Sequence, residues 1–204
     1  MKQEKYAFRK TGICLLTAAL MIVFAACGSA TSKTGAAIEI TEDGTISSHI
    51  VESFDKSYYD EEELTQKVLS EAASYNRAAG EGAISVEKVA VDNGTATVDM
   101  TYEKAQDYAS FNGCVLFLGT ANEAKEAGYD LNTVLSGTKN ELETIGMSDI
   151  LSMTDEKILI TDMKDPITLN GKAAYISDNV TVSKNLKTVT LDEASEKMAY
   201  IIYK

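Results

Sequence analysis

Apolar and polar residues alternate on both sides of Asn93-Gly94, a dipeptide that is typical of a two-residue β-hairpin turn. Such a turn places Val89 opposite Val98 on one face of the hairpin. The apolar residues that come before Glu87-Lys88 are out of phase with this face. The pattern therefore predicts a hairpin over residues 84–102 with a β-bulge at Glu87-Lys88.

A second hairpin is predicted nearer the N-terminus, around Asp43-Gly44. A two-residue turn at this dipeptide would set Ile40 opposite Ser47. A three-residue loop with Gly44 in the left-handed region would instead pair Ile40 with Ile46. We expect the three-residue loop, because it brings two apolar side chains together on one face.

The clearest helix is predicted to start after Asp60, which can cap the first turn while Glu63 returns a hydrogen bond to the cap. Tyr59 can pack on Leu64 across this helix start as a hydrophobic staple. Apolar residues at helical spacing then form one stripe that ends at Gly80, and we expect this stripe to dock on a sheet. The stripe consists of Leu64, Val68, Ala72, Tyr75 and Ala79.

Three consecutive glutamates, Glu61, Glu62 and Glu63, begin the same helix, where the positive end of the helix dipole favours acidic side chains. A calcium-binding loop that starts at Asp55 is the alternative. This segment lacks the glycine that an EF-hand loop carries at its sixth position, and Gln66 stands where the bidentate glutamate is needed. We therefore predict no metal site.

Residues 103–128 have helical spacing that is interrupted at Asn112-Gly113. A second short helix is predicted to begin at Thr120 and Glu123 and to end at Gly128, which can adopt the left-handed conformation of a helix C-cap.

The pattern is weak from residue 136 to residue 156. Thr138 can cap one more helical turn there, before Gly146.

The C-terminal third returns to strands, the first at Ile158-Leu159-Ile160 and the next beginning at Pro166. Ile167 and Leu169 are expected to face the residues around Ala174 across a hairpin turn at Asn170-Gly171. The apolar residues 198–203 are expected to pair inside a sheet. We therefore predict an α+β fold, with a largely antiparallel β-sheet and with one long helix and several short helices packed on it.

The first 30 residues have the features of a bacterial export signal. Residues 13–26 form an apolar run that is closed by small side chains. This run is shorter than the roughly 20 apolar residues of a membrane-spanning helix, so we expect it to be removed. Basic residues precede the run: Lys2, Lys5, Arg9 and Lys10.

The segment Phe24-Ala25-Ala26-Cys27 resembles a bacterial lipobox, although lipoboxes usually carry Leu where Phe24 stands. The resemblance implies that the Cys27 thiol accepts diacylglycerol and that Cys27 becomes the mature N-terminus. Residues 1–26 are then a lipoprotein signal peptide, residues 27–36 a flexible lipid-anchored tether, and residues 37–204 a single extracytoplasmic domain. The alternative is an ordinary secreted protein that is cut after Ala30.

Longer segments resemble a group of uncharacterised small cell-surface lipoproteins from anaerobic Gram-positive bacteria. This resemblance implies a cell-surface lipoprotein and assigns no catalytic or binding residue. The segments are ESFDKSYYD at residues 52–60, DYASFN at 107–112, FLGT at 117–120 and AYIIY at 199–203.

Removal of residues 1–26 takes away four of the 19 basic residues and one of the 31 acidic residues, which leaves 15 basic and 30 acidic residues. A mature chain with this net negative charge is unsuited to binding nucleic acid or the surface of an anionic membrane. Solubility alone explains such a charge, but it is also compatible with basic protein or peptide partners.

The three cysteines leave one free thiol. Cys14 leaves with the signal peptide and Cys27 is acylated, so no disulfide can form within the mature chain. Cys114 precedes an apolar run at residues 115–118, and we interpret it as a small buried hydrophobe and not as a nucleophile.

Sequence motifs of the common enzyme classes are absent: there is no nucleophile elbow, no phosphate-binding loop, no His-Glu-x-x-His and no Cys-x-x-Cys. The single histidine, His49, lies in the second predicted strand at an odd-numbered position, whereas Ile46 and Ile50 lie at even-numbered positions. Its side chain is therefore expected on the opposite face of the strand, toward solvent. We therefore assign no catalytic residue, no cofactor and no cofactor-binding residue.

Two classes of function remain. We favour a noncatalytic binding or envelope-associated module on the outer face of the cell membrane, attached through a diacylglyceryl anchor and binding a protein, peptide or cell-wall ligand. The alternative is a cell-wall or carbohydrate-directed hydrolase with paired carboxylates. Convergent carboxylates in a pocket would favour the hydrolase, and a groove or an exposed sheet edge would favour the binder. Tyrosines can form a sugar- or peptide-binding platform, but several of them, including Tyr58, are expected to be used in packing.

Overall fold

The computed structural model of the protein describes residues 34–204, and this part of the chain forms four α-helices and thirteen β-strands. The helices are α1 (Glu61–Ala79), α2 (Ala105–Asn112), α3 (Ala121–Glu126) and α4 (Met147–Ser152). The strands are β1 (Gly35–Ile40), β2 (Ile46–Ser53), β3 (Ile84–Asp92), β4 (Thr95–Tyr102), β5 (Leu116–Gly119), β6 (Leu135–Gly137), β7 (Thr144–Ile145), β8 (Lys157–Thr161), β9 (Ile167–Thr168), β10 (Ala173–Ile176), β11 (Val180–Val182), β12 (Thr188–Leu191) and β13 (Ala199–Tyr203).

The strands form two sheets, and the predicted α+β class is confirmed. Sheet A has seven strands in the order β11-β12-β9-β1-β2-β4-β3, and sheet B has six in the order β5-β8-β13-β10-β6-β7. Among the described strands, β1 and β9 pair in parallel and every other pairing is antiparallel. Strand β1 begins two residues before Ala37, the predicted start of the domain.

The hairpin between β1 and β2 has the predicted register. Ile40 lies opposite Ile46, and the amide of Thr41 donates to the carbonyl oxygen of Thr45 at 3.0 Å. Gly44 has φ +88°, a conformation that glycine adopts without a steric cost. The three-residue loop is therefore confirmed.

The hairpin between β3 and β4 is also confirmed. Asn93 and Gly94 have φ values of 48° and 74°, as a type I′ turn requires, and Val89 lies opposite Val98. The register shifts between Val86 and Lys88, which is the predicted β-bulge.

Helix α1 begins and ends as predicted. The Asp60 side chain accepts a hydrogen bond from the Glu63 amide at 2.9 Å, and Gly80 is the C-cap residue. The predicted return bond from the Glu63 side chain is absent from the described residues. Ala72 is buried, Val68 and Tyr75 pack against the core, and the helix docks on β3, so the apolar stripe serves the predicted purpose.

Helices α2 and α3 agree with the prediction. Gly113 ends α2 in the left-handed conformation, with φ +70°. Thr120 and Glu123 form a capping box at the start of α3, in which the Thr120 amide donates to Glu123 Oε2 at 2.7 Å. Strand β5, between these two helices, was not predicted as a strand.

The helical turn predicted before Gly146 is wrong. The Thr138 side chain does not cap a helix but donates to the carbonyl oxygen of Ala173 at 2.8 Å. Asn140 instead organises a turn between β6 and β7, because its side chain accepts a hydrogen bond from the Leu142 amide at 3.2 Å. The helix in this region, α4, starts after Gly146.

The hairpin predicted at Asn170-Gly171 is also wrong, because β9 belongs to sheet A and β10 belongs to sheet B. The Asn170 side chain donates to the carbonyl oxygen of Thr41 at 3.1 Å, so it tethers the crossing segment to the β1–β2 loop. Lys172 pairs with Lys204 through two backbone hydrogen bonds of 2.7 and 3.2 Å. The chain therefore leaves one sheet and enters the other at this dipeptide.

Two hydrophobic cores flank sheet B. The first lies between the two sheets and includes Ile46 and Tyr102 from sheet A with Leu159 and Ile201 from sheet B. The second lies between sheet B and the short helices α3 and α4, with Ile150 of α4 among its members. Both faces of sheet B are thus covered by apolar contacts, which stabilise the fold by roughly 1.5–3 kcal/mol for each fully buried large side chain.

Strand β13 is paired on both sides, with β8 and with β10, as predicted for the apolar residues 198–203. Ile201 and Tyr203 belong to the first core, whereas Ile202 belongs to the second. The unbroken apolar run of this strand is therefore explained by burial on both faces.

Replacement of Leu159 by Ala tests the two-core arrangement, because Leu159 is completely buried, with 0 % exposure. We expect the free energy of unfolding to fall by about 2–5 kcal/mol, as measured by urea denaturation, because the substitution leaves a cavity. Leu142→Ala is the matched control, since Leu142 is 93 % exposed. Its effect should stay within about 0.5 kcal/mol. Equal losses in the two variants would contradict the assigned core.

Candidate functional site

The predicted lipidation site, Cys27, lies outside the described residues, as do the predicted signal peptide and most of the predicted tether. Acylation therefore stays a prediction. Within residues 34–204, no helix has both the length and the apolar character that crossing a membrane requires.

A groove lies between the end of β2 and the first turns of α1, and we call it the aromatic groove. Its aromatic wall is formed by three rings. Phe54 and Tyr59 stack with their centroids 4.7 Å apart, and Tyr58 meets Tyr59 edge-on at 4.9 Å. The rest of the lining is formed by Asp60, Glu63, Leu64 and Lys67.

Local backbone structure positions these rings. The Phe54 amide donates to the carbonyl oxygen of Gly94 at 2.7 Å, which ties the segment to the β3–β4 turn. The Tyr59 amide donates to the carbonyl oxygen of Lys56 at 3.0 Å and closes a turn. The helix cap at Asp60 then fixes the chain after Tyr59, so the aromatic pair is held at both ends.

The tyrosines of the aromatic groove are open to solvent. Tyr58 is 76 % exposed and Tyr59 is 41 % exposed. The prediction that Tyr58 is used in packing is therefore wrong for most of its surface. Adjacent exposed aromatic rings of this kind mark interaction sites more often than isolated exposed apolar residues do.

The aromatic groove encloses about 280 Å³ and has both apolar and charged walls. Leu64 contributes apolar surface, while Asp60 and Glu63 contribute carboxylates. Lys67 brings a basic group, but it forms an ion pair of 3.0 Å with Glu71 on the next helical turn. The groove therefore combines a stacking surface with an acidic rim.

A larger cavity, of about 400 Å³, lies between the start of β1, the C-terminal end of α2 and the segment after β8, and we call it the α2 cleft. The elements that form it come from separate parts of the chain. Its lining includes Ile50, Tyr108, Asn112, Cys114, Asp162 and Asp165.

Cys114 is half-buried in the α2 cleft and packs against the first core. Burial raises the pKa of its thiol to about 11, and the negative charge of Asp162 adds to this effect. The nucleophilic thiolate is therefore scarce at neutral pH. This agrees with the interpretation of Cys114 as a packed side chain and not as a nucleophile.

Two carboxylates line the α2 cleft, but they differ in their contacts. Asp162 is exposed and accepts a hydrogen bond from the Val115 amide at 2.8 Å. Asp165 is half-buried and forms neither a hydrogen bond nor an ion pair within the described residues. Burial raises the pKa of Asp165, and the carboxylates of Glu52 and Glu193 raise it further.

His49 faces solvent, as predicted, with 59 % of its side chain exposed. Its Nδ1 atom lies 2.5 Å from Asp99 Oδ1 on the neighbouring strand β4. An exposed pair of this kind contributes about 1 kcal/mol at most to stability. Within residues 34–204, no group of three or more His, Cys, Asp or Glu side chains is arranged to hold a metal ion.

Comparison with known proteins yields no relative: no family model, no curated protein and no solved structure matches this chain. A proposal for its function therefore depends on the sequence and on the geometry of these two sites.

Asp165→Asn should remove a pH-dependent penalty on stability. Because its pKa is raised in the folded state, the native chain binds more protons than the unfolded chain between the unfolded pKa, about 3.8, and the raised folded pKa. Stability therefore falls as the pH rises through the interval between the unfolded and the raised folded pKa, and the penalty is complete above that interval. The variant should be more stable than the natural chain at neutral pH and lose this advantage in acid.

Urea midpoints measured from about pH 3 to about pH 7 check this expectation. Asp155→Asn is the control, since it removes the same charge at an exposed position. A drop in stability of the Asp165 variant at neutral pH would show that this carboxylate has a stabilising partner.

Proposed function

We propose that the protein is a lipid-anchored, extracytoplasmic binding module. In this proposal Cys27 carries a diacylglyceryl group on the outer face of the cell membrane, and the folded domain binds a protein, peptide or cell-wall ligand at the aromatic groove without catalysing a reaction. The observation that carries the binding role is the exposed aromatic cluster in which Tyr59 stacks on Phe54 and Tyr58 meets Tyr59 edge-on.

Support for the anchor comes from the sequence. Basic residues, an apolar run too short to span a membrane, and a lipobox-like segment ending at Cys27 occur in the order that lipoprotein export requires. Two acyl chains suffice for stable attachment, because each buried methylene contributes about 0.8 kcal/mol. An anchored domain then needs no membrane-binding surface of its own.

Support for binding comes from the chemistry of the aromatic groove. Tyrosine offers a large flat surface with a polar tip and loses little conformational freedom on binding. Asp60 and Glu63 line the same groove, so ligands with amino or guanidinium groups are favoured over anionic ones. Basic peptides and amino-bearing wall fragments have these groups, whereas nucleic acid does not suit an acidic surface.

A hydrolase is the second candidate, and the observation that favours it is the presence of Asp162 and Asp165 on the α2 cleft. The raised pKa of Asp165 suits a general acid. However, Asp162 is already engaged by the Val115 amide, which constrains its use as a base or a nucleophile. The binding role is therefore better supported.

Cys27→Ser tests the anchor. The full-length variant should shift from the membrane fraction to the soluble fraction and lack the diacylglyceryl mass, because a hydroxyl cannot form the thioether. Cys114→Ser is the matched control and should stay in the membrane fraction. Membrane retention of the Cys27 variant without the lipid mass would contradict the proposed anchor.

Tyr58→Ala and Tyr59→Ala test the aromatic groove. In a calorimetric screen of basic peptides and wall fragments, we expect each substitution to weaken ligand binding about tenfold or more, as loss of a central aromatic contact does. Leu142→Ala removes another exposed apolar side chain and should leave affinity unchanged. Unchanged affinity in both tyrosine variants would contradict the proposal that the aromatic groove binds the ligand. Release of products from the wall fragments would support the alternative that the protein is a hydrolase.

A further inference from the structure

The α2 cleft contains a carboxylate without a counter-charge. Asp165 forms no ion pair within the described residues, and no lysine or arginine lines the cleft. The adjacent Lys164 is not available, because its Nζ donates to the backbone carbonyl oxygens of Asp192, at 2.8 Å, and Ser195. A half-buried carboxylate in this setting is costly to ionise, and the cost is removed by an incoming cation.

Tyr108 contributes a second unpartnered group. This residue is only 6 % exposed, yet it lines the α2 cleft, and its hydroxyl makes no hydrogen bond within the described part of the chain. Burial raises the pKa of Tyr108, and Asp165 is among the charges that raise it further. The hydroxyl therefore keeps its proton and remains able both to accept and to donate a hydrogen bond.

Asn112 contributes a third group, and its orientation is fixed. Its Nδ2 atom donates to the carbonyl oxygen of Tyr108 at 3.0 Å and to the hydroxyl of Tyr102 at 3.4 Å. Both amide hydrogens are thus used within the protein. The amide oxygen of Asn112 makes no side-chain hydrogen bond among the described residues and is left as an acceptor.

We propose that the α2 cleft is a binding site for a small organic cation with a primary ammonium group, in which Asp165 is the counter-ion and Tyr108 and Asn112 accept further hydrogen bonds. A primary ammonium has three N–H donors, and the cleft offers three groups that can accept them: the Asp165 carboxylate, the Tyr108 hydroxyl and the Asn112 amide oxygen. Charge-assisted hydrogen bonds to a carboxylate are the strongest of this set. This site shares no lining residue with the aromatic groove and does not depend on it.

The remaining walls favour an alkyl ammonium over an inorganic cation. Ile50 and Met163 line the same cleft and give apolar surface for a carbon chain. A metal ion would need several more oxygen ligands, and residues 34–204 contain no metal-binding group of three or more acidic, His or Cys side chains. Anionic ligands are excluded by Asp162 and Asp165 together.

The test uses the full-length chain with n-butylammonium, n-butanol and butyrate, which share an alkyl chain and differ in the head group. Cys114 lies in the cleft, so a bound ligand should slow its alkylation by N-ethylmaleimide, measured by mass on the peptide that contains this residue. We expect n-butylammonium to protect Cys114 saturably, whereas n-butanol and butyrate leave the rate unchanged.

Variants then assign the contacts. Asp165→Asn should weaken protection at least about tenfold, because a charge-assisted hydrogen bond is lost, and Tyr108→Phe should weaken it to a smaller extent. Asp162→Asn is the matched control, since it removes the same charge from the same cleft while its amide oxygen can still accept from Val115. It should retain most of the protection. Melting curves of the free variants establish that each one is folded.

Three results would overturn the site. If n-butanol protected Cys114 equally well, the cleft would be an apolar cavity that does not recognise the ammonium group. If the Asp162 and Asp165 variants lost protection equally, the effect would come from the overall negative charge of the cleft and not from a specific contact with Asp165. Absence of protection by n-butylammonium would show that the cleft does not bind a primary ammonium. Tyr59→Ala should leave protection intact whether or not the aromatic groove binds a ligand, so the two proposals succeed or fail separately.

Discussion

Strand β13 lies in the middle of sheet B and contributes side chains to the cores on both of its faces, and the rest of the structure is arranged around it. Ile201 points into the core shared with sheet A, and Ile202 points into the core covered by α3 and α4. This one strand therefore packs against sheet A on one side of sheet B and against the short helices on the other. The hydroxyl of Tyr203 is buried without a partner in the described residues, which costs about 1–3 kcal/mol that the surrounding apolar contacts offset.

The two candidate sites lie where this layered packing ends. The α2 cleft is lined by the end of α2, the first residues of β1 and the segment after β8. The aromatic groove lies beside the chain between β2 and α1, which is tied to the β3–β4 turn at one end and to the helix cap at the other. The side chains of Tyr108 and Asp165, which form no hydrogen bond within residues 34–204, line the α2 cleft.

Most of the local structure could be predicted from the sequence, but long-range pairing could not. Two Asn-Gly dipeptides show the difference. Asn93-Gly94 adopts the hairpin turn because the strands on either side pair with each other, whereas Asn170-Gly171 lies where the chain passes between sheets. The dipeptide permits a tight turn in both cases, and the partner strands decide whether the turn becomes a hairpin. Those partners are remote in the sequence, such as β13 for β10.

The same limit applies to the sites. Tyr59 was expected to pack beside Leu64, and both residues do line one groove, but the stacking of Tyr59 on Phe54 and the exposure of Tyr58 depend on the path of the intervening loop. Tyr108 and Asp165 are separated by most of sheet B in the sequence, so no local pattern brings them together. A half-buried aspartate beside proline carries no distinguishing sequence signal.

The place of β13 in the chain sets the order in which the domain assembles. Its neighbours β8 and β10 are made earlier, so the middle of sheet B stays vacant until residues 199–203 have been synthesised. Closure of both cores therefore depends on a strand that is synthesised after every other strand of sheet B.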